Sequence, residues 1–162
     1  MEKVFLLLGT NLGDRAENLT RARNMIAFRA GQMVSTSAIY ETAPWGKTDQ
    51  PGFLNQCIAI YTLHSPEALL AILQKTEKEI GRETAEKWGP RLIDIDILLY
   101  GSKTFSSEQL TIPHPYLHLR RFTMLPLNEI ASQVLHPVLH RTIAELFQQC
   151  DDSSAVSLYQ TL

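Results

Sequence analysis

The chain has little of what would place it in several large protein classes. Its two cysteines in 162 residues, Cys57 and Cys150, lack metal-motif spacing, and nothing indicates a disulfide framework. Cys57 lies in an apolar stretch and reads as a small core residue. The net charge of −2 gives no bulk electrostatic basis for nucleic-acid binding, so any phosphate recognition must be local. Long apolar runs are missing too. The one in MEKVFLLLGT stops at a Gly-Thr-Asn turn, too short for a signal peptide's apolar region or a membrane span. There is no internal repeat, low-complexity tract or linker. Five histidines (64, 114, 118, 136 and 140) show no zinc-like pattern. What remains is an ordinary globular balance, 44% hydrophobic and 20% charged. One domain over residues 1–162 is expected, in a reduced, cytoplasmic protein that is monomeric and uses neither membrane nor nucleic acid.

The order of elements is legible. Lys3 to Leu8 is a compact strand broken by Gly9. Asp14, with Glu17 three residues on, starts a helix whose Leu19, Ala22 and Ile26 recur at helical spacing. Met33 to Thr42 is β-rich, APWGKTDQPG is a loop, and Phe53 to Leu63 is again a strand. Ser65-Pro66 opens a second helix and Gly81 stops it. A polar loop, 82–90, feeds another strand. The resulting β-α-β-β-α-β order predicts an α+β, ferredoxin-like sandwich, with helices on one face of a mainly antiparallel sheet. A C-terminal extension follows: an extended piece near Leu110 to Ile112, a Pro-His-Pro turn and two helical segments. Thr142 and Glu145 form a capping box at the last. The polar residues 151–162 read as a flexible tail.

The stretch WGPRLIDIDILLYG, Trp88 to Gly101, carries the first sign of chemistry. In a strand, Asp94 and Asp96 share one face while Ile93, Ile95 and Ile97 share the other. Carboxylates at positions i and i+2, roughly 6.5–7 Å apart, can converge on a metal pair. Oxygen ligands suit Mg²⁺, which takes one or two carboxylates together with substrate phosphates. An isolated Asp-x-Asp is more often a solvated strand face. Here Arg82, Lys87 and Arg91 lie in the loop just before the strand, with Arg120 and Arg121 later, and such cations are what polyphosphate chemistry requires. GTNLGD, residues 9 to 14, fits neither the P-loop nor the dinucleotide glycine pattern and reads as a structural turn. Trp45 in its loop is a latch or a stacking platform. Phe53, Phe122 and His114, taken singly, have core or turn roles.

Together these stretches resemble the 6-hydroxymethyl-7,8-dihydropterin pyrophosphokinase family. GTNLGDR, YETAPWGKTDQPGFLNQC, QKTEKEIGR, WGPRLIDIDILLYG, LTIPHP and RRFTMLPLNEIA occur in the family's order, over roughly residues 3 to 130. The resemblance implies transfer of the β,γ-pyrophosphoryl group of ATP to a pterin hydroxymethyl oxygen, releasing AMP. It implies two Mg²⁺ ions on Asp94 and Asp96, with Arg82 and Arg91 clamping phosphates. It further implies an ATP site formed by Gln74, Glu77, Arg82, Lys87, Trp88, Arg91, Ile97, Thr111, His114 and Arg120. The pterin pocket would comprise Thr42, Ala43, Trp45 and Asn55, with Phe53 and Phe122 sandwiching the ring. Two places depart from some relatives: 83–87 reads ETAEK, where Lys87 is the only cation, and Gln109 stands where some have an arginine. Two rival readings stay open, a non-catalytic nucleotide- or metal-binding module and a metal-dependent nucleotidyl- or glycosyl-transferase using Asp-x-Asp.

Overall fold

Alternate residues of the first strand are buried on opposite sides, so that strand must be central. A computed structural model of the protein describes residues 1–42, 51–81 and 92–160. In it β1 (Glu2–Thr10) pairs antiparallel with β4 (Phe53–Thr62) on one side and β5 (Asp94–Tyr100) on the other. The spatial order continues from β4 to β3 (Tyr40–Thr42) and β8 (Val156–Leu158), while β2 (Gln32–Thr36) pairs with the far end of β4. The β-rich stretch ending at Thr42 is therefore two strands. Ser37 lies between them, donating its N–H to the Cys57 carbonyl and accepting the Cys57 N–H at its Oγ.

Helices α1 (Arg15–Arg29) and α2 (Pro66–Ile80) begin where capping chemistry places them. Asp14 accepts the Glu17 N–H and Ser65 accepts the Ala68 N–H, each satisfying an end donor the helix itself cannot pair. Gly81 terminates α2 in the left-handed conformation that glycine adopts without penalty. Leu19, Ala22 and Ile26 of α1 and Leu69, Leu73 and Ile80 of α2 pack with Val4, Leu6, Leu8, Ile95 and Ile97 of the sheet.

The sheet's other face is also covered, a difference from the one-faced arrangement that the element order implies. Helices α3 (Arg121–Ala131) and α4 (Ile143–Gln148) close over Phe5, Leu7, Cys57, Ala59, Leu98 and Leu99. This explains why β1 and β4 are apolar without alternation: both sides are buried. The short pair β6 (Phe105–Ser106) and β7 (Thr111–Ile112) lies beside β5. A bulge at Leu98 shifts the β5 register, and the Leu98 carbonyl accepts the His114 N–H at 3.0 Å.

The segment from residue 151, expected as a flexible tail, contains a paired strand. Residues 156–158 form β8 on the outer edge of β3, and Tyr159 donates its N–H to the Ile39 carbonyl at 2.9 Å. An unpaired strand edge presents donors and acceptors, and this polar segment satisfies them. Among the described residues no helix is long and apolar enough to cross a membrane.

Candidate active site at one end of the sheet

The C-terminal end of β1 brings the two halves of the predicted site together. Gly9 pairs with Asp94 of β5 on one side and Asn55 of β4 on the other. Side chains in one cross-strand row share a face, and strands lie about 4.8 Å apart, so Asp94 and Asn55 are about 10 Å apart across Gly9. The same face receives Asp96, opposite Leu7, and Phe53, opposite Thr42. A β-carbon on Gly9 would sit 2.9 Å from Asn55 Oδ1. Glycine thus leaves the Asn55 amide its space at the sheet surface. Asn55 is buried, Phe53 and Asp94 are half-buried and Asp96 is exposed. Phe53 and Phe122, readable singly as core, are both half-buried at the border of this face.

Strand β5 is held in place from outside by α2. The Glu77 carboxylate, 5% exposed, accepts the Ile95 N–H at 2.8 Å, between the two aspartates. Glu77 therefore binds the protein's own backbone rather than simply lining a cleft. Ile97, also placed at the nucleotide site by resemblance, has its side chain in the core at 4% exposed. Gln74, one turn before Glu77, is exposed, as is Thr111 of β7.

On the far side of β5, His114 accepts the Tyr116 N–H at Nδ1, which leaves its own proton on Nε2. Burial, and then the neighbouring Arg120 cation, lower its pKa to about 4. It is thus a neutral hydrogen-bond donor at pH 7. The Arg120 guanidinium lies 5.0 Å from the Tyr116 ring centre and 5.7 Å from that of Phe122, a cation–π arrangement that holds Arg120 beside the aromatic wall. Arg121 points elsewhere, over Phe147, and its N–H donates to Asp152.

The predicted residues Ala43, Trp45, Arg82, Lys87, Trp88 and Arg91 lie outside the described residues. Thr42, Phe53, Asn55, Asp94 and Asp96 share one face by strand register, His114 is joined to β5 at Leu98, and Arg120 lies against Phe122, which packs on the core of that face. Three contributors escaped the sequence reading. Gly9, read from sequence as part of a structural turn, makes room for Asn55. Tyr40, whose hydroxyl donates to Glu129 of α3 at 2.6 Å, fixes β3 beneath the site. Arg15 ties α1 to Glu41 of β3 and to the Gly52 carbonyl just before β4. Only Gly9 left a signal, as a glycine at the end of an apolar strand.

Among the described residues no group of three or more His, Cys, Asp or Glu could form a metal cage alone. The aspartate pair nonetheless suits Mg²⁺, a hard cation that keeps waters and takes its remaining ligands from substrate phosphates. A carboxylate pair and a buried amide thus lie on one face of the antiparallel sheet of this α+β protein, with a neutral histidine beside β5 and an arginine stacked on aromatic rings.

Comparison with known proteins gives the family. A model described as 7,8-dihydro-6-hydroxymethylpterin-pyrophosphokinase matches residues 5–132, and the chain belongs to this family. Proteins named 2-amino-4-hydroxy-6-hydroxymethyldihydropteridine pyrophosphokinase are similar in three bacteria. That of Methylorubrum extorquens is 40% identical over 94% of this chain and 96% of its own. That of Haemophilus influenzae is 40% identical over 98% and 99%, and that of Aquifex aeolicus 40% over 90% of each. A solved HPPK-DHPS in complex with substrates superposes with a TM-score of 0.75 at 17% identity, and a Plasmodium falciparum HPPK-DHPS triple mutant with 0.76 at 20%. These structures show the fold alone. Each covers 91% of this chain, which spans less than half of theirs, 43% and 44%.

Proposed function

We propose that the protein transfers pyrophosphate from ATP to 6-hydroxymethyl-7,8-dihydropterin, giving the pterin diphosphate and AMP in folate biosynthesis. The observation that supports this reading is the row Asp94–Gly9–Asn55, with a carboxylate pair and an amide on one face. A flat, amide-rich ring wants such a partner at its edge and aromatic faces above and below, here Phe53 and Phe122, with Thr42, Ala43 and Trp45 completing the pocket. Gln74, Glu77, Arg82, Lys87, Trp88, Arg91, Ile97, Thr111, His114 and Arg120 form the ATP side of this reading.

The pterin hydroxymethyl oxygen forms a bond to the β-phosphorus as the bond from that phosphorus to the α,β-bridging oxygen breaks. AMP leaves with the bridging oxygen, and the hydroxyl proton passes to Asp96. Two Mg²⁺ ions, held by Asp94 and Asp96, would neutralise phosphate charge and make the hydroxyl more acidic. The chain's own part is positioning and charge neutralisation. Arg82 and Arg91 clamp the phosphates, and neutral His114 donates a hydrogen bond from Nε2. The same reading takes the sheet as ferredoxin-like with a C-terminal extension, and the protein as one cytoplasmic, monomeric domain. The Asp-x-Asp transferase alternative leaves the Trp45, Phe53, Asn55 and Phe122 set unexplained.

The test is an assay with ATP, Mg²⁺ and the reduced pterin, following AMP. Pterin-dependent AMP is expected; ADP, or no nucleotide product, overturns the proposal. Asp96→Ala should lower turnover by roughly 10²-fold or more with folding intact, and chelation of Mg²⁺ should abolish it. Near-normal AMP release by Asp96→Ala would remove the metal assignment.

A further inference from the structure

The strand β3 alternates its attachments. Tyr40 and Thr42 face α3 and the proposed pterin pocket, while Glu41 faces α1. There Arg15, the first residue of α1, donates to the Glu41 carboxylate and, at 2.8 Å, to the Gly52 carbonyl. These two acceptors stand at the two ends of the segment joining β3 to β4. The ends are close: a β-carbon on Gly52 would lie 2.7 Å from the Thr42 carbonyl oxygen. Asn11, in the turn before α1, adds a bond from Nδ2 to the Pro51 carbonyl at 3.3 Å. The C-terminal segment backs this junction. β8 pairs with all three residues of β3, and the Tyr159 ring packs on the core with its centre 5.6 Å from the Arg15 guanidinium.

Arg15 therefore has both an aromatic ring and a carboxylate as neighbours, and its acceptors, Glu41 and Gly52, flank the β3–β4 segment. A planar guanidinium suits this arrangement better than an ammonium, because it can stack and donate in several directions at once. On the opposite surface of the same strands are Thr42 and Phe53, residues of the proposed pterin pocket; none of the aspartate-bearing strand is involved.

We propose that Arg15, backed by Tyr159 just after β8, is a positioning element for the pterin half of the site, fixing Thr42 and Phe53 by fastening the two ends of the β3–β4 segment. The C-terminal segment thus belongs to substrate recognition without touching substrate. This inference rests on the pterin reading above. It requires that loosening the latch weaken pterin binding selectively, because ATP is assigned to residues around β5 and α2.

Steady-state kinetics of Arg15→Ala, Tyr159→Ala and Tyr159→Phe decide the matter, with wild type as reference. Pterin-dependent AMP release by wild type is the control for the underlying reading; its absence would sink that reading, and the latch with it. Given an active wild type, Arg15→Ala should raise the pterin KM by roughly 10-fold, the order expected for losing a charge-assisted hydrogen bond. kcat and the ATP KM should stay within about 2-fold of wild type. Tyr159→Ala should follow in the same direction, and Tyr159→Phe, which keeps the ring, should restore the pterin KM. An unchanged pterin KM, an equal rise in both KM values, or a loss confined to kcat would each overturn the latch. Should Arg15→Ala fail to fold, the Tyr159 pair still decides, since an equal pterin KM for Ala and Phe also overturns it.

Discussion

Gly9 shows how a missing side chain can define a site. Its neighbours on β1, Leu8 and Thr10, are fully buried, and a methyl group there would be unremarkable but for Asn55 Oδ1 at 2.9 Å. Adding that methyl requires the amide to move by several tenths of an ångström. Gly9→Ala should therefore raise the pterin KM by roughly 10-fold, from a misaligned hydrogen bond. The ATP KM should stay near wild type. Direct titration of the two ligands separately checks this, and unchanged pterin binding would show that Asn55 is not its partner. Glu77 makes the complementary point. A carboxylate buried at 5% exposure requires a partner, and the Ile95 N–H it accepts lies between Asp94 and Asp96. Resemblance assigns it to the proposed nucleotide site; its bond to β5 depends on tertiary structure, because α2 and β5 lie apart in sequence.

Among the elements, α2 was the most legible, since its start, stop and buried stripe are all local. Ser65→Ala removes the acceptor for the Ala68 N–H and should cost about 1 kcal/mol, seen as a lower chemical-denaturation midpoint with an unchanged slope. β8 was the least legible. Its three residues, Val-Ser-Leu, sit in a polar segment and gain stability only because β3 offers an unsatisfied edge. Helices α3 and α4 were readable as helices, yet nothing local stated which face of the sheet they would cover. The splitting of the stretch after Met33 into β2 and β3 likewise depends on where β4 continues, and on Ser37 bonding to Cys57.

At the scale of the whole molecule, burial sets a pH dependence. His114 has its pKa lowered to about 4 by burial and then by Arg120, and His136 is lowered too, by burial and then by His118 and His140. The unfolded chain binds these protons near pH 6.5 whereas the folded protein refuses them, so stability falls as pH drops from about 6.5 towards about 4. Denaturation midpoints measured across that window should show this slope, and His114→Gln should flatten it. A slope unaltered in His114→Gln would mean that His114 is protonated in the folded protein at those values. The neutral imidazole also keeps its donor on Nε2 across the ordinary working range, as the proposed nucleotide contact needs.

The sequence alone determined what is local or periodic: the helix caps at Asp14, Ser65 and Thr142, the stop at Gly81, and the facing of Asp94 and Asp96 away from three isoleucines. It also determined the family, since the signature stretches occur in order. Tertiary structure decided what depends on residues distant in the chain. It put Asp94 and Asn55 in one row across Gly9, turned Glu77 onto the Ile95 N–H, laid α3 and α4 over the second face, and joined Arg15 to Glu41, Gly52 and Tyr159. The physical reason is the same in each case. Strand alternation and capping act within a few residues, whereas cross-strand register, edge pairing and buried-charge partners exist only once the sheet has brought separate segments together.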